Sequence, residues 1–316
     1  MNIIILGWST VSNGDISPKR FKKLGNLKVY DVLSEEEICK AAEDAEAILV
    51  NRVSITEKII NSAEKLKYIG SFATGYNNID MQKAKEKGIT VTNVPGYSTE
   101  AVATHTFGLL LALCLNIINY DKYVKSGGWS FESGVDCFPF TMAELGGKTL
   151  GIFGFGNIGK RVAELGSAFG MNVIFYSRSK KQTNIGKQVD FDTLLAESDF
   201  LTLHAPLNSQ TDKILNKSAF EKMKKGACLI NTARGGLVDE NALADALNSG
   251  HIGGAALDVV TNEPLQSRSP LFTAKNCIFT PHVAWGPKET RERLISIGYE
   301  NLKSFISNKP INVVEE

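Results

Sequence analysis

Cysteine is scarce in this chain, and its five cysteines are scattered without a CxxC pair. That usage disfavours a disulfide framework and a zinc knuckle, so we predict reduced thiols, a cytoplasmic location and no metal site. Long hydrophobic runs are also missing, since the longest one, residues 107–115, is far shorter than the roughly 20 residues that cross a bilayer. The N-terminal apolar run has no basic region before it, so neither a signal peptide nor a membrane partner is expected.

A charge excess of either sign is absent as well. Lys and Arg number 35 and Asp and Glu number 34, which leaves a formal net charge of +1. The chain has no excess of positive charge that could bind a nucleic acid by releasing its counterions, so we expect no nucleic-acid partner. Hydrophobic residues make up 43% and charged residues 22% of the 316 residues, which is typical of a globular chain of about two domains and not of a disordered one.

The first hundred residues alternate short apolar runs with amphipathic stretches. The apolar runs predict strands at residues 2–6, 27–30, 47–50, 68–72 and 89–92, and the amphipathic stretches predict helices at residues 18–24, 34–43, 56–63 and 80–87. Ser34 and Glu37 form a capping-box pattern at the start of the second helix. Strict alternation of strand and helix indicates parallel pairing and an α/β layer fold.

A second α/β segment follows a long apolar stretch. Residues 100–123 are apolar on nearly all sides and predict one long helix buried between two bodies. Residues 127–140 are rich in glycine and aromatic side chains and predict an extended arm that meets a partner, with a loop packed on its own domain as the alternative. Strands are then predicted at residues 149–153, 172–176, 200–204, 228–232, 255–259 and 277–280, alternating with helices as in a doubly wound nucleotide-binding domain. Residues 287–309 predict a final helix.

A glycine-rich turn joins the first strand of this second segment to its first helix. The turn reads Gly154-Phe155-Gly156-Asn157-Ile158-Gly159 and fits the pattern GxGxxG. Its place directly after an apolar strand and at the start of a helix is the context that supports a dinucleotide fingerprint. Gly154 permits the tight turn, Gly156 lets the backbone approach a pyrophosphate, and Gly159 lets helix and strand pack closely. We therefore predict that these six residues bind a dinucleotide.

The residues after the next strand indicate which dinucleotide is preferred. Ser177, Arg178 and Ser179 stand where an NAD enzyme usually carries an acid for the ribose 2′-hydroxyl. An acid would repel a 2′-phosphate, whereas Arg178 with neighbouring hydroxyls can hold one. We expect NADP to be preferred over NAD. The alternative is that Arg178, Lys180 and Lys181 form a solvated charge run.

Four histidines are available as a proton donor for a carbonyl oxygen. His105 lies in the middle of a predicted helix, and His251 precedes a strand, at the edge of the sheet away from ligands. His204 and His282 each end an apolar strand, at the edge where ligands bind.

Charged residues near the ends of late strands select between the last two histidines. Arg234 and Glu263 lie just past the two strands that precede His282. This order favours His282 as the base, Glu263 as the carboxylate that orients it and Arg234 as the substrate anchor. His204 is assigned to the cofactor groove. For each of these residues, a surface charge or a structural role is the alternative.

Several further motifs accompany these residues. They read ATGYNNID at 73–80, VPG at 94–96, LHAPL at 203–207, NTARGGLVDE at 231–240, ALDV at 256–259 and TPHVAW at 280–285. Together with the glycine-rich turn, they make essentially the whole chain resemble the D-isomer-specific 2-hydroxyacid dehydrogenases. GWST at 7–10, GDIS at 14–17 and residues 67–76 are most similar to the glycerate dehydrogenase/hydroxypyruvate reductase group.

The resemblance implies an NAD(P)-dependent enzyme that reduces a small 2-ketoacid, of the hydroxypyruvate or glyoxylate type, to the D-2-hydroxyacid. Arg234 would bind the carboxylate and keto oxygen of the substrate, His282 would exchange the proton with the 2-hydroxyl, and Glu263 would orient His282. The backbone N–H groups of Thr74 and Gly75 would bind the substrate carboxylate. Further cofactor contacts are expected at His204, Ala205, Pro206, Thr232, Ala233 and Asp258, of which Asp258 would bind the nicotinamide amide.

The resemblance also implies two doubly wound α/β domains with the active site in the cleft between them. Residues 1–99 and 287–316 would form a discontinuous, flavodoxin-like substrate domain, and residues 100–286 would form a Rossmann cofactor domain that pairs two copies into a homodimer. A D-lactate-type or phosphoglycerate dehydrogenase is the alternative within enzymes. A dinucleotide-sensing regulator without enzymatic activity is a more remote one.

Overall fold

The computed structural model describes residues 1–31, 33–130 and 138–314. The chain divides into two compact units, one made of Met1–Ser98 with Gly286–Glu316 and the other of Thr99–Trp285. Each unit is built around its own parallel sheet.

The first unit has a five-stranded sheet with helices at its faces. Its strands are β1 (Asn2–Leu6), β2 (Asn26–Tyr30), β3 (Ala47–Val50), β4 (Tyr68–Ser71) and β5 (Thr90–Thr92). Its helices are α1 (Glu35–Ala42), α2 (Glu57–Ser62), α3 (Met81–Glu86) and, after the second unit, α10 (Lys288–Ile306). The strand order β2-β1-β3-β4-β5 is the flavodoxin-like order, which confirms the predicted fold of this segment. The capping box of Ser34 and Glu37 is present, whereas Pro18–Lys23 is a 3-10 helix and not an α-helix.

The second unit has a seven-stranded sheet. Its strands are β6 (Thr149–Phe153), β7 (Asn172–Tyr176), β8 (Lys187–Gln188), β9 (Phe200–Leu203), β10 (Cys228–Asn231), β11 (Gly254–Leu257) and β12 (Cys277–Phe279). Its helices are α4 (Thr99–Cys114), α5 (Ile117–Lys125), α6 (Asn157–Ala168), α7 (Phe191–Glu197), α8 (Lys217–Lys222) and α9 (Glu240–Asn248). The order β12-β11-β10-β9-β6-β7-β8 reverses direction between β6 and β9, and ligands of doubly wound folds bind at such a reversal.

Both faces of this larger sheet are covered by apolar side chains. Leu229 of β10 packs in one buried cluster with Leu243 of α9, while its neighbour Ile230 packs in another with Leu110 of α4. Successive side chains of a strand point to opposite faces, so a strand covered on both sides needs a continuous apolar run. That requirement explains why the apolar runs locate these strands in the sequence.

The prediction of one long helix over residues 100–123 was wrong, because the chain breaks at Asn116. Helix α4 ends at Cys114 and α5 begins at Ile117, with a bend of 55° between them. Asn116 has a φ of +51°, in the left-handed region that asparagine tolerates better than most residues. Its side-chain amide donates to the carbonyl of Thr141 at 2.6 Å, which stabilises the break. The apolar pattern continues across this point and does not reveal it.

Among the residues described, no single helix is long and apolar enough to cross a membrane. The bent pair α4 and α5 passes a test of length and composition only when the two helices are taken together.

The aromatic arm predicted at residues 127–140 is described only in part, since residues 131–137 lie outside the described ranges. Trp129 is 60% exposed and Phe138 is 77% exposed. Phe140 instead packs edge-on against Tyr120, with ring centroids 5.2 Å apart, and its carbonyl accepts from the Tyr120 hydroxyl at 2.7 Å. One end of the arm therefore packs on its own unit, and the partner surface stays a prediction.

Candidate active site

The glycine-rich turn after β6 has the backbone that a phosphate cradle needs. Gly154 has a φ of +100°, and a β-carbon there would lie 2.7 Å from the backbone of His204 and Ala205. A β-carbon at Gly159 would lie 2.1 Å from the Gly154 carbonyl oxygen, so helix α6 and strand β6 can only approach this closely at glycine. Gly156 faces open space at the N-cap of α6, and no side chain of the described residues caps this helix. The N–H groups of its first turn can therefore bind an anion.

His204 presents a buried polar atom beside this turn. Its Nε2 atom is buried and has no hydrogen-bond partner among the described residues. Burial lowers the pKa of His204 to about 3, so the ring is neutral near pH 7. Leaving such an atom unpaired costs about 1–3 kcal/mol, and a polar group of a bound nucleotide would satisfy it. The turn and His204 together fit a dinucleotide.

Ser177 and Arg178 follow β7 at the same edge of the sheet. Ser177 is half-buried, whereas Arg178 and Ser179 are exposed. Asp190, the next acid along the chain, caps α7 by accepting from the N–H group and the hydroxyl of Thr193, at 2.8 and 2.7 Å. The Asp190 carboxylate therefore forms its hydrogen bonds at the start of α7.

The Arg234 loop follows β10 and is shaped by Asn231. The buried amide of Asn231 accepts from the Ala233 N–H at 3.0 Å and donates to the Arg234 carbonyl at 2.9 Å. A β-carbon at Gly235 would lie 1.9 Å from the carbonyl carbon of Val260. The backbone that carries Arg234 therefore packs directly on the segment that leads from β11 to Glu263.

Glu263 and His282 form a hydrogen-bonded pair. The Nδ1 atom of His282 lies 2.6 Å from Oε2 of Glu263. His282 has a φ of +56°, a left-handed conformation that typically costs a residue other than glycine about 1–3 kcal/mol. Such strain persists only where surrounding contacts fix the backbone. Here the His282 N–H donates to the carbonyl of Asp258 at 2.8 Å.

The carboxylate of Asp258 anchors the loop that presents His282. It is 2% exposed and accepts from the Thr280 hydroxyl at 2.6 Å and from the N–H groups of Val283 and Ala284 at 2.9 Å each. The Nε2 atom of His105 lies 3.5 Å from the same carboxylate and 3.0 Å from the Thr280 hydroxyl. Burial raises the pKa of Asp258, but the hydrogen bonds from His105, Thr280 and the two N–H groups outweigh it and hold this pKa below its usual value.

Comparison with known proteins identifies the family of this chain. Residues 107–284 match the model of the D-isomer specific 2-hydroxyacid dehydrogenase, NAD binding domain. The chain belongs to the D-isomer specific 2-hydroxyacid dehydrogenases. A hydroxypyruvate reductase of Blautia hydrogenotrophica is 39% identical over the full length of both chains, and a glyoxylate reductase of Thermococcus litoralis is 42% identical over 83% of this chain and 81% of its own. An acyclic imino acid reductase in complex with NADPH and D-Arg has a TM-score of 0.88 and 34% identity, over 100% of both chains.

For this dehydrogenase, the predicted substrate residues Thr74 and Gly75 lie in the first unit, after β4. Their turn is held by a hydrogen bond of 2.9 Å from the Thr74 hydroxyl to the Val94 carbonyl and one of 3.1 Å from the Ser71 hydroxyl to the Gly75 carbonyl. Thr74 is exposed and Gly75 is half-buried. Their role toward substrate stays a prediction.

The remaining predicted cofactor residues of the dehydrogenase lie at strand ends of the second unit. Ala205 and Pro206 follow β9, and Thr232 and Ala233 follow β10. Thr232 is buried and its hydroxyl lies 2.9 Å from that of Thr106 in α4. These four contacts, and the contact of Asp258 with a nicotinamide amide, stay predictions.

The residues that support this dehydrogenase site are not evident from the sequence. Asn231 and Thr280 lie within the quoted motifs but carry no assigned role, and His105 is placed only in the middle of a helix. Glu240, at the start of α9, accepts from the Thr261 N–H at 2.7 Å and from the Ser269 hydroxyl at 3.1 Å, and so fixes the segment that carries Glu263. One general rule could have pointed to these supporting residues: a polar side chain in a buried stretch needs a hydrogen-bond partner.

Proposed function

We propose that this dehydrogenase reduces a small 2-ketoacid of the hydroxypyruvate or glyoxylate type to the D-2-hydroxyacid. The observation that carries the proposal is the 2.6 Å pair of His282 and Glu263, at the carboxyl edge of the sheet that also holds the glycine-rich turn. The two curated relatives described above, named hydroxypyruvate reductase and glyoxylate reductase, support this class of substrate.

The protein side of the reaction follows from the pair of His282 and Glu263. A bound nicotinamide dinucleotide supplies a hydride to the keto carbon. Because Nδ1 of His282 is held by Glu263, the ring transfers its proton from Nε2 to the keto oxygen as negative charge develops there. Glu263 keeps the ring oriented during the transfer.

Substrate binding is assigned to Arg234, Thr74 and Gly75. The guanidinium of Arg234 is exposed, carries a permanent positive charge and matches a carboxylate with two parallel N–H donors. It would bind the substrate carboxylate and polarise the keto oxygen. The N–H groups of Thr74 and Gly75 would add donors to the same carboxylate.

We assign NADP(H) as the preferred cofactor, with NAD(H) as the weaker one. Ser177 stands at the end of β7 in place of an acid, and Arg178 beside it is exposed. Asp190, whose carboxylate caps α7, is committed elsewhere. An exposed arginine that pairs with no carboxylate of the described residues supports recognition of a 2′-phosphate.

The exposed aromatic side chains of the arm support a homodimer. Trp129 and Phe138 present large apolar surfaces, which in globular proteins mark partner sites. Sedimentation analysis of the wild type and of Trp129→Ala tests this assignment: a wild-type monomer at micromolar concentration would reject it. The scattered cysteines support the cytoplasmic location that the sequence predicts.

A panel of 2-ketoacids with NADPH and NADH tests the proposed substrate class. We expect oxidation of the cofactor with hydroxypyruvate and glyoxylate, a D-configured product from hydroxypyruvate, and weaker activity with longer 2-ketoacids. Binding of the cofactor without its oxidation by any 2-ketoacid would reject the proposal and favour a dinucleotide-sensing regulator.

A further inference from the structure

One side chain outside the predicted site bonds three backbone groups of the Ser177–Lys181 segment. Gln188 lies on the edge strand β8, where it pairs with Phe175 of β7. Its Nε2 atom donates to the carbonyls of Ser177 and Ser179, at 3.0 and 3.2 Å, and its Oε1 atom accepts from the Lys181 N–H at 2.9 Å. The half-buried amide of Gln188 thus joins both ends of the segment that contains Arg178.

The three hydrogen bonds of Gln188 fix the backbone that carries Arg178. The segment leaves β7 without regular secondary structure of its own, so its backbone needs side-chain partners to keep one conformation. An arginine on a fixed backbone loses less freedom when it binds a ligand than one on a loose backbone. The side chains of Ser177, Arg178 and Ser179 all start from backbone that Gln188 holds.

We propose that Gln188 is a positioning residue for cofactor selection, which presents Arg178 and the two serine hydroxyls to the 2′-phosphate of NADPH. The inference rests on the proposed preference for NADP(H). Gln188 acts only through the segment it holds. NADH lacks the 2′-phosphate, so its binding depends less on the side chains of this segment than the binding of NADPH does.

Gln188→Met tests the proposal, because methionine keeps the length of the side chain and removes all three hydrogen bonds. Gln182→Met is the matched control, since Gln182 is exposed in the same connection and lies outside this set of bonds. Arg178→Ala measures the contribution of the arginine itself. Each variant is assayed for kcat/KM with NADPH and NADH, and for inhibition by 2′,5′-ADP and by 5′-ADP, which differ in the 2′-phosphate.

We expect Gln188→Met to lower the ratio of kcat/KM for NADPH over NADH by about 3- to 10-fold, through KM for NADPH at constant kcat. Inhibition by 2′,5′-ADP should weaken by the same factor, while inhibition by 5′-ADP and all constants of Gln182→Met stay within twofold of the wild type.

Three results would overturn the proposal. If Arg178→Ala lowers the ratio and Gln188→Met does not, Gln188 is not a positioning residue, although the cofactor assignment stands. If Gln188→Met weakens both nucleotides equally and lowers the melting temperature, its role is structural only. If Arg178→Ala leaves the ratio unchanged in an enzyme that prefers NADH, the cofactor assignment itself fails, and the role of Gln188 fails with it.

Discussion

The hydroxyl of Thr280 donates a hydrogen bond of 2.6 Å to the buried carboxylate of Asp258, two residues before the proposed acid–base residue His282. The same carboxylate holds the two N–H groups that follow His282, and the Asp258 carbonyl holds the N–H of His282 itself. A strained histidine backbone is therefore enclosed by bonds to one aspartate. The geometry of the proposed proton transfer depends on that aspartate as well as on Glu263.

Thr280→Val removes the hydroxyl and keeps the shape of the side chain. The buried carboxylate loses one charged hydrogen bond, which contributes about 1.5–3 kcal/mol to the free energy of unfolding. We expect the free energy of unfolding, measured in urea, to fall by that amount. We also expect a lower kcat, because the backbone of His282 is held less firmly. Thr280→Ser keeps the hydroxyl and should retain wild-type kcat within a few-fold. A Thr280→Val enzyme with unchanged stability and kcat would contradict the role of this bond.

Gly235→Ala places a methyl group where the backbone of Val260 already lies, 1.9 Å away. Neither backbone can move without separating the Arg234 loop from the segment that leads to Glu263. Overpacking usually costs about 1–3 kcal/mol, and we expect the upper end or more here because the clash is with backbone. Gly236→Ala is the control, since its β-carbon meets no backbone but only the ends of the Leu207 and Asp212 side chains, at 2.8 and 3.6 Å. Comparable stability and activity of the two variants would show that the close approach is unimportant.

Ser177→Asp should reverse the cofactor preference. The new carboxylate would bind the ribose 2′-hydroxyl of NADH and repel the 2′-phosphate of NADPH. Losing a charge-assisted bond costs about 1.5–3 kcal/mol, or roughly 10- to 150-fold in kcat/KM. Steady-state kcat/KM for both reduced cofactors, on the wild type and the variant, is the measurement. A wild-type preference for NADH would make Arg178 a solvated surface charge.

The neutral ring of His204 should make the protein sensitive to acid. Burial lowers the pKa of His204 to about 3 in the folded chain, from an ordinary value of 6.5. Between these pH values the unfolded chain binds one more proton than the folded chain, so the free energy of unfolding falls as the pH falls, by up to about 1.4 kcal/mol per pH unit. Above pH 6.5 neither state carries this proton and the effect vanishes.

Urea unfolding at pH 7.5 and 5.0 measures this contribution. We expect His204→Asn to lose less stability between the two pH values than the wild type does. Parallel losses in the wild type and His204→Asn would show that His204 is not held neutral by the fold.

Features set by local pattern were predictable from the sequence. The turn from Gly154 to Gly159 follows from glycine spacing between an apolar strand and a helix, and the structure places it there. The strand runs were recognisable because strands buried on both faces need continuous apolar residues. The break at Asn116 and the two-residue strand β8 were missed, since one is a single backbone conformation and the other is too short to carry a pattern.

Contacts between distant residues of the chain were not predictable in the same way. Arg234, Glu263 and His282 were placed at neighbouring strand ends by counting strands, and the structure brings Glu263 and His282 within hydrogen-bond distance. His105, Asp258 and Thr280 meet only because α4 packs beside β11 and β12, and nothing in their separate motifs indicates that contact. Gln188 lies in a stretch without any motif.

The central claim is that His282, held by Glu263, donates the proton to the keto oxygen. Single-turnover reduction of hydroxypyruvate at saturating NADPH, in the wild type, His282→Ala and His204→Ala, tests it most directly. His282→Ala should lower the rate by roughly 10²- to 10⁴-fold, the usual share of a positioned acid or base, while the dissociation constant of NADPH stays within a few-fold. If His204→Ala is instead the more damaging of the two, with cofactor affinity intact, the proton comes from His204 and the account is wrong.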